Sequence, residues 1–167
     1  MDNEARLQAL ESGLKRLSDR EAIWDLMARY ARALDEENDE ELAAIYAPDA
    51  TLETVPWSNG KVFSGRESIV RVFNGYQRRF INRKRFITNE RIVLDDAVSA
   101  TGWSNWLVLH SNAGESYVGW GSYDWKFSRV DGTWLISSMV IRVDCMTTLD
   151  NGWGKVETLL SSFPERR

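Results

Sequence analysis

Residues 18 to 53 constrain the fold of this chain most strongly, because they encode two amphipathic helices followed directly by a strand. Ser18 and Glu21 match a capping box, in which the serine side chain caps the first helical turn and the glutamate reaches back to it. Apolar side chains then recur with helical spacing at Ile23, Leu26, Met27, Tyr30, Ala33 and Leu34. This spacing predicts a helix over residues 19–35 with one broad buried face.

A shorter second helix is predicted over residues 39–46. Asn38 and Glu41 repeat the capping pattern, and Leu42, Ile45 and Tyr46 form the apolar side. Pro48 and Asp49 end this helix, and residues 51–55 have the composition of a strand.

A separate helix is predicted ahead of this stretch, over residues 4–17. Its leucines are spaced three, four and three residues apart, at Leu7, Leu10, Leu14 and Leu17. Such a narrow stripe is typical of coiled coils and suits packing against the domain or a neighbouring subunit. Two heptads are too few for an independent coiled coil.

The rest of the chain predicts one more helix and then a series of long strands. Asn59 and Gly60 predict a hairpin turn, followed by a short strand over 61–63 and a helix over 66–76. Strands are predicted over 85–94, 99–110, 117–129 and 133–144. The fold class is therefore α+β: a cone-shaped barrel with N-terminal helices packed in a strongly curved, mainly antiparallel sheet.

Strand 99–110 alternates between two faces. One face carries Ser104, Trp106, Val108 and His110, and the other carries Trp103, Asn105, Leu107 and Leu109. Because helices inside the cone cover only one side of the sheet, the large apolar residues of the outer side predict a homotrimer or homodimer.

The length of the chain favours one domain over residues 1–167, since 167 residues suffice for a full core. The formal charge of −4, without a basic patch, argues against nucleic acid as a partner. A single cysteine, Cys145, forbids an internal disulfide and favours a reducing compartment. With neither a signal-like nor a membrane-spanning run, a cytoplasmic protein without a membrane partner is expected.

Neither a phosphate loop nor a metal-ligand cluster is recognisable, so no cofactor and no metal are expected. Eight tryptophans indicate either core filling or an aromatic-walled pocket for a ring-containing ligand. The tail from residue 146 carries a short apolar run over 156–160, which could fold over the cone mouth or reach a partner subunit.

Several motifs carry a resemblance to a known family. They are Tyr30-x-x-x-Leu34-Asp35, the short acidic helix, Tyr46-Ala-Pro-Asp49-Ala50 before a strand, the segment 65–69 and the segment 130–134. Over residues 19–145 the chain resembles the SnoaL-like branch of the nuclear-transport-factor-like superfamily, which includes scytalone dehydratase and bile-acid dehydratase. The resemblance implies the cone fold, whereas the reaction is open because this scaffold hosts many chemistries.

The resemblance implies three catalytic candidates. His110, the only histidine, matches a catalytic histidine of the dehydratases and is the only side chain with an ordinary pKa near neutral. Asp35 lies at the family's acid position and is expected to hydrogen-bond His110. Tyr30 would assist the departing hydroxyl. The structural alternatives are a surface histidine, a helix-terminal acid and a core tyrosine.

The expected substrate-binding residues are Arg85, Arg142, Trp106, Met27, Thr54 and Tyr123. Arg85 falls where the family has its second histidine; it stays protonated, so it can hold an anion or an enolate but cannot act as a base. Arg142 matches a pocket arginine of the bile-acid dehydratase, or it pairs with Asp124 or Asp144. The polar substrate contacts of scytalone dehydratase fall at Gly121 and Tyr123, so a naphthol-type substrate is not implied.

These features predict a cofactor-independent lyase that removes water from a cyclic hydroxy-carbonyl compound by His/Asp-assisted proton abstraction. An isomerase or a polyketide-type cyclase would use the same step. A non-catalytic small-molecule-binding module is the alternative from another class, favoured by the loss of one family histidine.

Overall fold

The computed structural model describes residues 2–154, which form three helices and one six-stranded sheet. The helices are α1 (Asn3–Asp35), α2 (Asp39–Ala44) and α3 (Arg66–Gln77). The strands are β1 (Tyr46–Val55), β2 (Val62–Ser64), β3 (Ile81–Leu94), β4 (Ser99–Asn112), β5 (Glu115–Val130) and β6 (Thr133–Thr148).

The sheet is curled and mixed, with the strand order β2-β1-β6-β5-β4-β3. All neighbouring strands pair antiparallel except β1 and β6, which pair parallel. The helices pack on the concave side, where α1 contacts β3 and β6. The predicted α+β cone with a mainly antiparallel sheet is confirmed.

The alternation predicted for β4 is also confirmed. The buried side chains are Ser104, Trp106, Val108 and His110, and the exposed apolar ones are Trp103, Leu107 and Leu109. The concave side of the sheet and the inner faces of the helices therefore form one core, and it is this core that borders the candidate site.

The prediction of two separate helices before residue 36 is wrong, because α1 is a single helix of 33 residues. It begins at Asn3, and Ser18 lies exposed in its interior instead of capping a new helix. A serine inside a helix costs only a few tenths of a kcal/mol relative to alanine, about 0.5 kcal/mol. Ending the helix there would leave several backbone groups without partners. A helix that continues through Ser18 is therefore lower in free energy than one that ends there.

The second capping pattern is confirmed, since the Asn38 side chain accepts a hydrogen bond from the Glu41 backbone N–H at 3.0 Å. However, α2 ends at Ala44, and Tyr46 already pairs with Ile136 of β6. The parallel ladder shifts register between Tyr46 and Thr51, a segment that contains Pro48, which has no N–H to donate.

The last strand extends to Thr148, so the predicted tail starts later than residue 146. The apolar run over 156–160 lies outside the described residues. Within residues 2–154, none of the helices has both the length and the apolar character needed to cross a bilayer.

Candidate functional site

A cavity of about 270 Å³ lies between α3, the β1–β2 turn and the concave face of β3 to β6. Its aromatic walls are Trp57, Phe63, Phe73, Phe80 and Trp106, and aliphatic side chains of β4 and β6 complete the apolar lining. The polar side chains of the lining are Thr54, Ser58, Tyr76, Arg79, Arg85 and Tyr123. A mainly apolar pocket with a few converging polar groups is the usual form of a small-molecule site.

Arg85 provides a buried positive charge at this cavity. Strand β3 positions it opposite Val108 of β4, and its guanidinium lies 5.6 Å from the Tyr30 ring and 5.4 Å from the Tyr76 ring. Burial lowers the pKa of Arg85, but Tyr123, Tyr30, Tyr76 and Asp35 outweigh burial and raise it, so the group stays charged. Its Nε and Nη1 atoms are buried without a hydrogen-bond partner.

Two tyrosine hydroxyls border the same cavity, those of Tyr76 and Tyr123. Behind them, the Tyr30 hydroxyl donates to the Tyr123 hydroxyl at 3.5 Å, the outer limit of a hydrogen bond. Burial raises the pKa of each of these three phenols, and the Arg85 charge only partly offsets it. The phenols are therefore protonated at neutral pH and can donate hydrogen bonds.

Asp35, the last residue of α1, contacts the backbone of Arg85 and not its guanidinium. Its Oδ2 accepts from the Arg85 backbone N–H at 3.1 Å and lies 3.8 Å from the Lys84 ammonium, whereas Oδ1 is buried without a partner. Burial raises the pKa of Asp35, against the lowering effects of the Arg85 N–H and of the charges of Arg85, Lys84 and Arg83. Asp35 borders a separate groove of about 520 Å³ and does not line the cavity.

His110 is buried among aromatic side chains, and its Nε2 has no hydrogen-bond partner. Its Nδ1 lies 3.0 Å from the Tyr76 hydroxyl, and its ring packs 3.9 Å from the Phe80 ring and 5.8 Å from the Tyr117 ring. Burial, reinforced by the charges of Arg85 and Arg83, lowers the pKa of His110 to about 3. The imidazole is therefore neutral near pH 7.

The expected Asp35–His110 hydrogen bond is absent: the hydrogen bond of His110 is to Tyr76, and that of Asp35 is to Arg85. The reason is the order of the elements. Asp35 meets the β3 backbone at Arg85, while His110 lies near the end of β4, packed against Phe80 just after α3.

The expectation that Arg142 lines the pocket is also wrong. Ile141 and Val143 line the cavity, and a strand alternates its side chains, so Arg142 lies on the outer face of β6. There its Nε pairs with Asp124 at 2.9 Å, with the two side chains 51% and 45% exposed.

The remaining candidates divide into two groups. Thr54, Trp106 and Tyr123 line the cavity together with Arg85. Tyr30 and Met27 are buried in the core behind it, and Met27 borders the groove beside Asp35.

Some lining residues were missed from the sequence. Val72, Phe73 and Tyr76 come from the apolar side of α3, whose helical spacing indicated burial but not which cavity it would border. Trp57, Ser58 and Arg79 lie in or beside turns, where no periodic pattern marks an inward side chain. Among the described residues, no three His, Cys, Asp or Glu side chains group closely enough to hold a metal ion.

Comparison with known proteins adds a family and several similar folds. A family model described as a SnoaL-like domain matches residues 15–140. No curated protein matches the sequence.

Three solved structures are similar to this chain. LinA is 24% identical with a TM-score of 0.77, over 86% of this chain and 98% of LinA. Hexachlorocyclohexane dehydrochlorinase LinA-type3 from Novosphingobium barchaimii is 25% identical with a TM-score of 0.74, over 82% and 94% of the two chains. A Novosphingobium aromaticivorans protein, described provisionally as a scytalone dehydratase, is 24% identical with a TM-score of 0.72, over 80% and 89%.

Proposed function

The chain belongs to the family of SnoaL-like domains, and on that premise we propose that it is a cofactor-independent enzyme of the lyase or isomerase type. Its substrate is a ring-containing carbonyl compound. The size and aromatic walls of the cavity support a ring, and the likeness to a dehydrochlorinase supports an elimination.

The proposal depends mainly on one observation, the unpartnered Nε and Nη1 of Arg85 at an apolar cavity. A buried charged donor without a partner is costly, by about 1–3 kcal/mol or more. A substrate oxygen that acquires negative charge as an enolate forms would satisfy these donors. Donors fixed in advance where charge develops are among the strongest contributions to catalysis.

The finer assignment is a dehydration. A proton leaves the carbon beside the carbonyl, and the electrons of that bond move to the oxygen at Arg85 to give an enolate. They then return to form the carbon–carbon double bond as the hydroxyl on the next carbon departs as water. Tyr76 and Tyr123, which keep their protons at neutral pH, supply the proton to the departing hydroxyl. Isomerisation and cyclisation share the same enolate.

The proton acceptor in this proposal is the neutral His110 imidazole, whose buried Nε2 has no hydrogen-bond partner and whose ring packs against Phe80 of the lining. Its Nδ1 lies 3.0 Å from the Tyr76 hydroxyl, so the proton that it accepts can replace the one that Tyr76 gives to the departing hydroxyl. Asp35 positions Arg85 through its backbone N–H. Because burial lowers the pKa of His110 to about 3, we expect slower turnover than an enzyme with an Asp–His pair would have.

A second candidate function is a non-catalytic module that binds the same compounds. The observation in its favour is that, among residues 2–154, the cavity lining includes neither a carboxylate nor an imidazole.

Hydrogen exchange distinguishes the two functions without knowledge of the product. A panel of cyclic ketones and hydroxy-ketones would be incubated with the protein in D₂O, and loss of the proton beside the carbonyl followed by NMR. An enzyme should exchange at least one compound faster than buffer does, and Arg85→Gln should slow the exchange by about 10²–10³-fold. Arg142→Gln, an arginine on the outer face, is the matched control and should exchange at the wild-type rate.

The contrary results are equally clear. A compound that raises the melting temperature but exchanges no faster than in buffer supports the binding module. An Arg85→Gln variant that exchanges at the wild-type rate contradicts the role given to Arg85.

A further inference from the structure

The N-terminal half of α1 extends beyond the rest of the domain. Every residue from 2 to 18 is exposed, and the buried residues of α1 begin at Asp19. This half is about 24 Å long. A helix of this length is marginal in water on its own, because most helical stability comes from packing of an apolar face.

The exposed half nevertheless carries an apolar face, which we name the leucine seam: Leu7, Leu10, Leu14 and Leu17. These side chains are 57% to 67% exposed. Their spacing assigns Leu7 and Leu14 to heptad position a, and Leu10 and Leu17 to position d. Within the described part of the chain the seam is unpaired, although its geometry is that of one helix of a coiled coil.

The seam continues along the same helix onto the domain. The heptad spacing next reaches Glu21, which interrupts it, and then Trp24, Ala28 and Ala31. Trp24 is 54% exposed. Together with the exposed Phe86, these three residues border the 520 Å³ groove beside Asp35. Two apolar segments, separated by Glu21, therefore follow one line along about 36 Å of α1.

The charges beside the seam specify its partner. Arg6 occupies heptad position g, and Glu11 occupies position e. Two parallel copies of α1 would place Arg6 of each against Glu11 of the other. Two antiparallel copies would place Glu11 against Glu11 and Arg6 against Arg20, which are pairs of like charge. These e and g charges are therefore self-complementary only in the parallel arrangement.

We propose that a second copy of this chain occupies the leucine seam, with the two α1 helices parallel. The helices join at their exposed halves, and the two cone domains lie at the same end of the pair. The two heptads are too short to associate alone, so the contacts around Trp24 and Phe86 add to them.

Mass measurement by sedimentation or light scattering at micromolar concentration tests the pairing. The wild-type chain, with a mass of 19.2 kDa, should sediment with at least twice that mass. Leu10→Glu/Leu14→Glu should lower the mass to that of one chain or weaken association by more than tenfold. Ala5→Glu/Ala9→Glu adds the same charges with the same spacing on the opposite side of α1, and should keep the wild-type mass.

Circular dichroism and thermal unfolding would establish that both variants remain folded. A wild-type protein that has the mass of one chain contradicts the proposal. So does a folded Leu10→Glu/Leu14→Glu variant whose association equals that of the wild type.

A charge exchange tests the orientation. Arg6→Glu alone and Glu11→Arg alone should each weaken association roughly three- to tenfold at low salt, since each creates like-charged pairs. An equimolar mixture of the two variants should associate as the wild type does, because their unlike charges then face each other. If Arg6→Glu strengthens association, it relieves the Arg6–Arg20 contact and the parallel arrangement is refuted.

Discussion

Arg85 stands on β3 at the position where the family resemblance expects a histidine. The substitution changes the local chemistry, because a guanidinium keeps its proton and stabilises anions, whereas an imidazole exchanges its proton. Asp35, at the acid position, accepts from the Arg85 backbone N–H. The one histidine of the chain is buried on the neighbouring strand and hydrogen-bonded to Tyr76. Function at this site should therefore depend on the arginine.

Burial of Arg85 should cost stability in the absence of a ligand. Arg85→Met removes a buried charge with two unpartnered nitrogens, and we expect the free energy of unfolding at pH 7 to rise by about 1–2 kcal/mol. Urea unfolding would measure this change. Arg142→Met, at an exposed ion pair, should stay within about 0.5 kcal/mol of the wild type. A loss of stability in Arg85→Met would mean that the guanidinium is fully accommodated by the core.

His110 should make stability depend on pH. Its pKa is about 3 in the folded state, below its ordinary value of 6.5, so its contribution is complete above pH 6.5 and is lost as the pH falls toward 3. Between pH 7.5 and pH 5 the wild type should lose about 2 kcal/mol more than His110→Gln does.

Urea unfolding at several pH values would measure this difference. The raised pKa of Asp35 acts in the opposite direction, since its contribution is present below pH 3.8 and is lost as the pH rises through its folded pKa. That contribution is common to both proteins and largely cancels in the comparison. Parallel pH profiles for the two proteins would show that His110 titrates normally in the folded state.

At the scale of the elements, α1 continues through a capping motif instead of starting at it. Ser18 and Glu21 fit the capping box, but the residues before Ser18 are also good helix formers, and the helix passes through. Asn38 does cap α2, because it follows a turn that begins at Glu36 and Glu37, and Glu37 has a positive φ of 56°. The same capping motif therefore starts a helix after a turn, as at Asn38, but lies inside a helix when helix-forming residues precede it, as at Ser18.

Alanine substitution separates these two sites. Ser18→Ala should stabilise the protein by about 0.3–0.5 kcal/mol, because alanine is the better residue inside a helix. Asn38→Ala should destabilise it by about 1 kcal/mol, because it removes a cap. Chemical unfolding of both variants provides the measurement. A loss of about 1 kcal/mol for Ser18→Ala would indicate a helix start at that residue.

The β5–β6 ladder contains a bulge beside Trp106, a residue that lines the cavity. The register shifts between Trp120 and Gly121, and a Cβ added at Gly121 would overlap the Arg142 carbonyl. That carbonyl also accepts from Trp106 Nε1, at 3.2 Å. The glycine therefore lets the two strands approach where a cavity tryptophan is anchored.

Gly121→Ala should destabilise the protein by more than about 2 kcal/mol, since either the ladder or the Trp106 anchor has to move. Gly75→Ala is the control, because Gly75 lies in α3 with open space around it and should gain about 0.5–1 kcal/mol. Melting temperatures and urea midpoints would rank the two variants. Equal stability of both would mean that the bulge accommodates a side chain.

At the scale of the whole molecule, residues 2–154 present the leucine seam and a second exposed apolar surface, the outer face of β3 and β4. The outer face carries Phe86, Trp103, Leu107 and Leu109, all exposed. Alternation along β4 makes this outer face apolar, while the side chains of the concave face fill the core. Within residues 2–154 the helices cover only the concave face, so the outer face has no helix layer over it. Association through this face stays a prediction.

Leu107→Glu should lower the weight-average mass at micromolar concentration if the outer face is an interface. Thr101→Glu, on the same side of β4 and farther along the strand, is the control and should leave the mass unchanged. Phe86, the cross-strand partner of Leu107, also borders the groove beside α1. Association is therefore assigned to the sheet if Leu107→Glu lowers the mass while Leu10→Glu/Leu14→Glu keeps the wild-type mass. Identical masses for Leu107→Glu and the wild type would remove the sheet face as an interface.

The sequence alone determined the order of helices and strands, apart from the division of α1 into two, and which side of α1 over residues 19–35 and of β4 is buried. Capping at Asn38, the alternation around Trp106 and the helical spacing from Ile23 to Leu34 are local patterns, and local patterns follow from backbone geometry. They were sufficient for the α+β class, the antiparallel run and the presence of Trp106 in the core.

Only the tertiary structure decided which side chains meet and how they ionise. Asp35 contacts Arg85 and His110 contacts Tyr76 because curvature and strand order bring together residues that are about 50 and 34 positions apart. The pKa of His110 falls because the surrounding core excludes water and because two arginines of β3 lie nearby. Neither effect is local in sequence, so a residue type that titrates near neutral pH in solution is held neutral here.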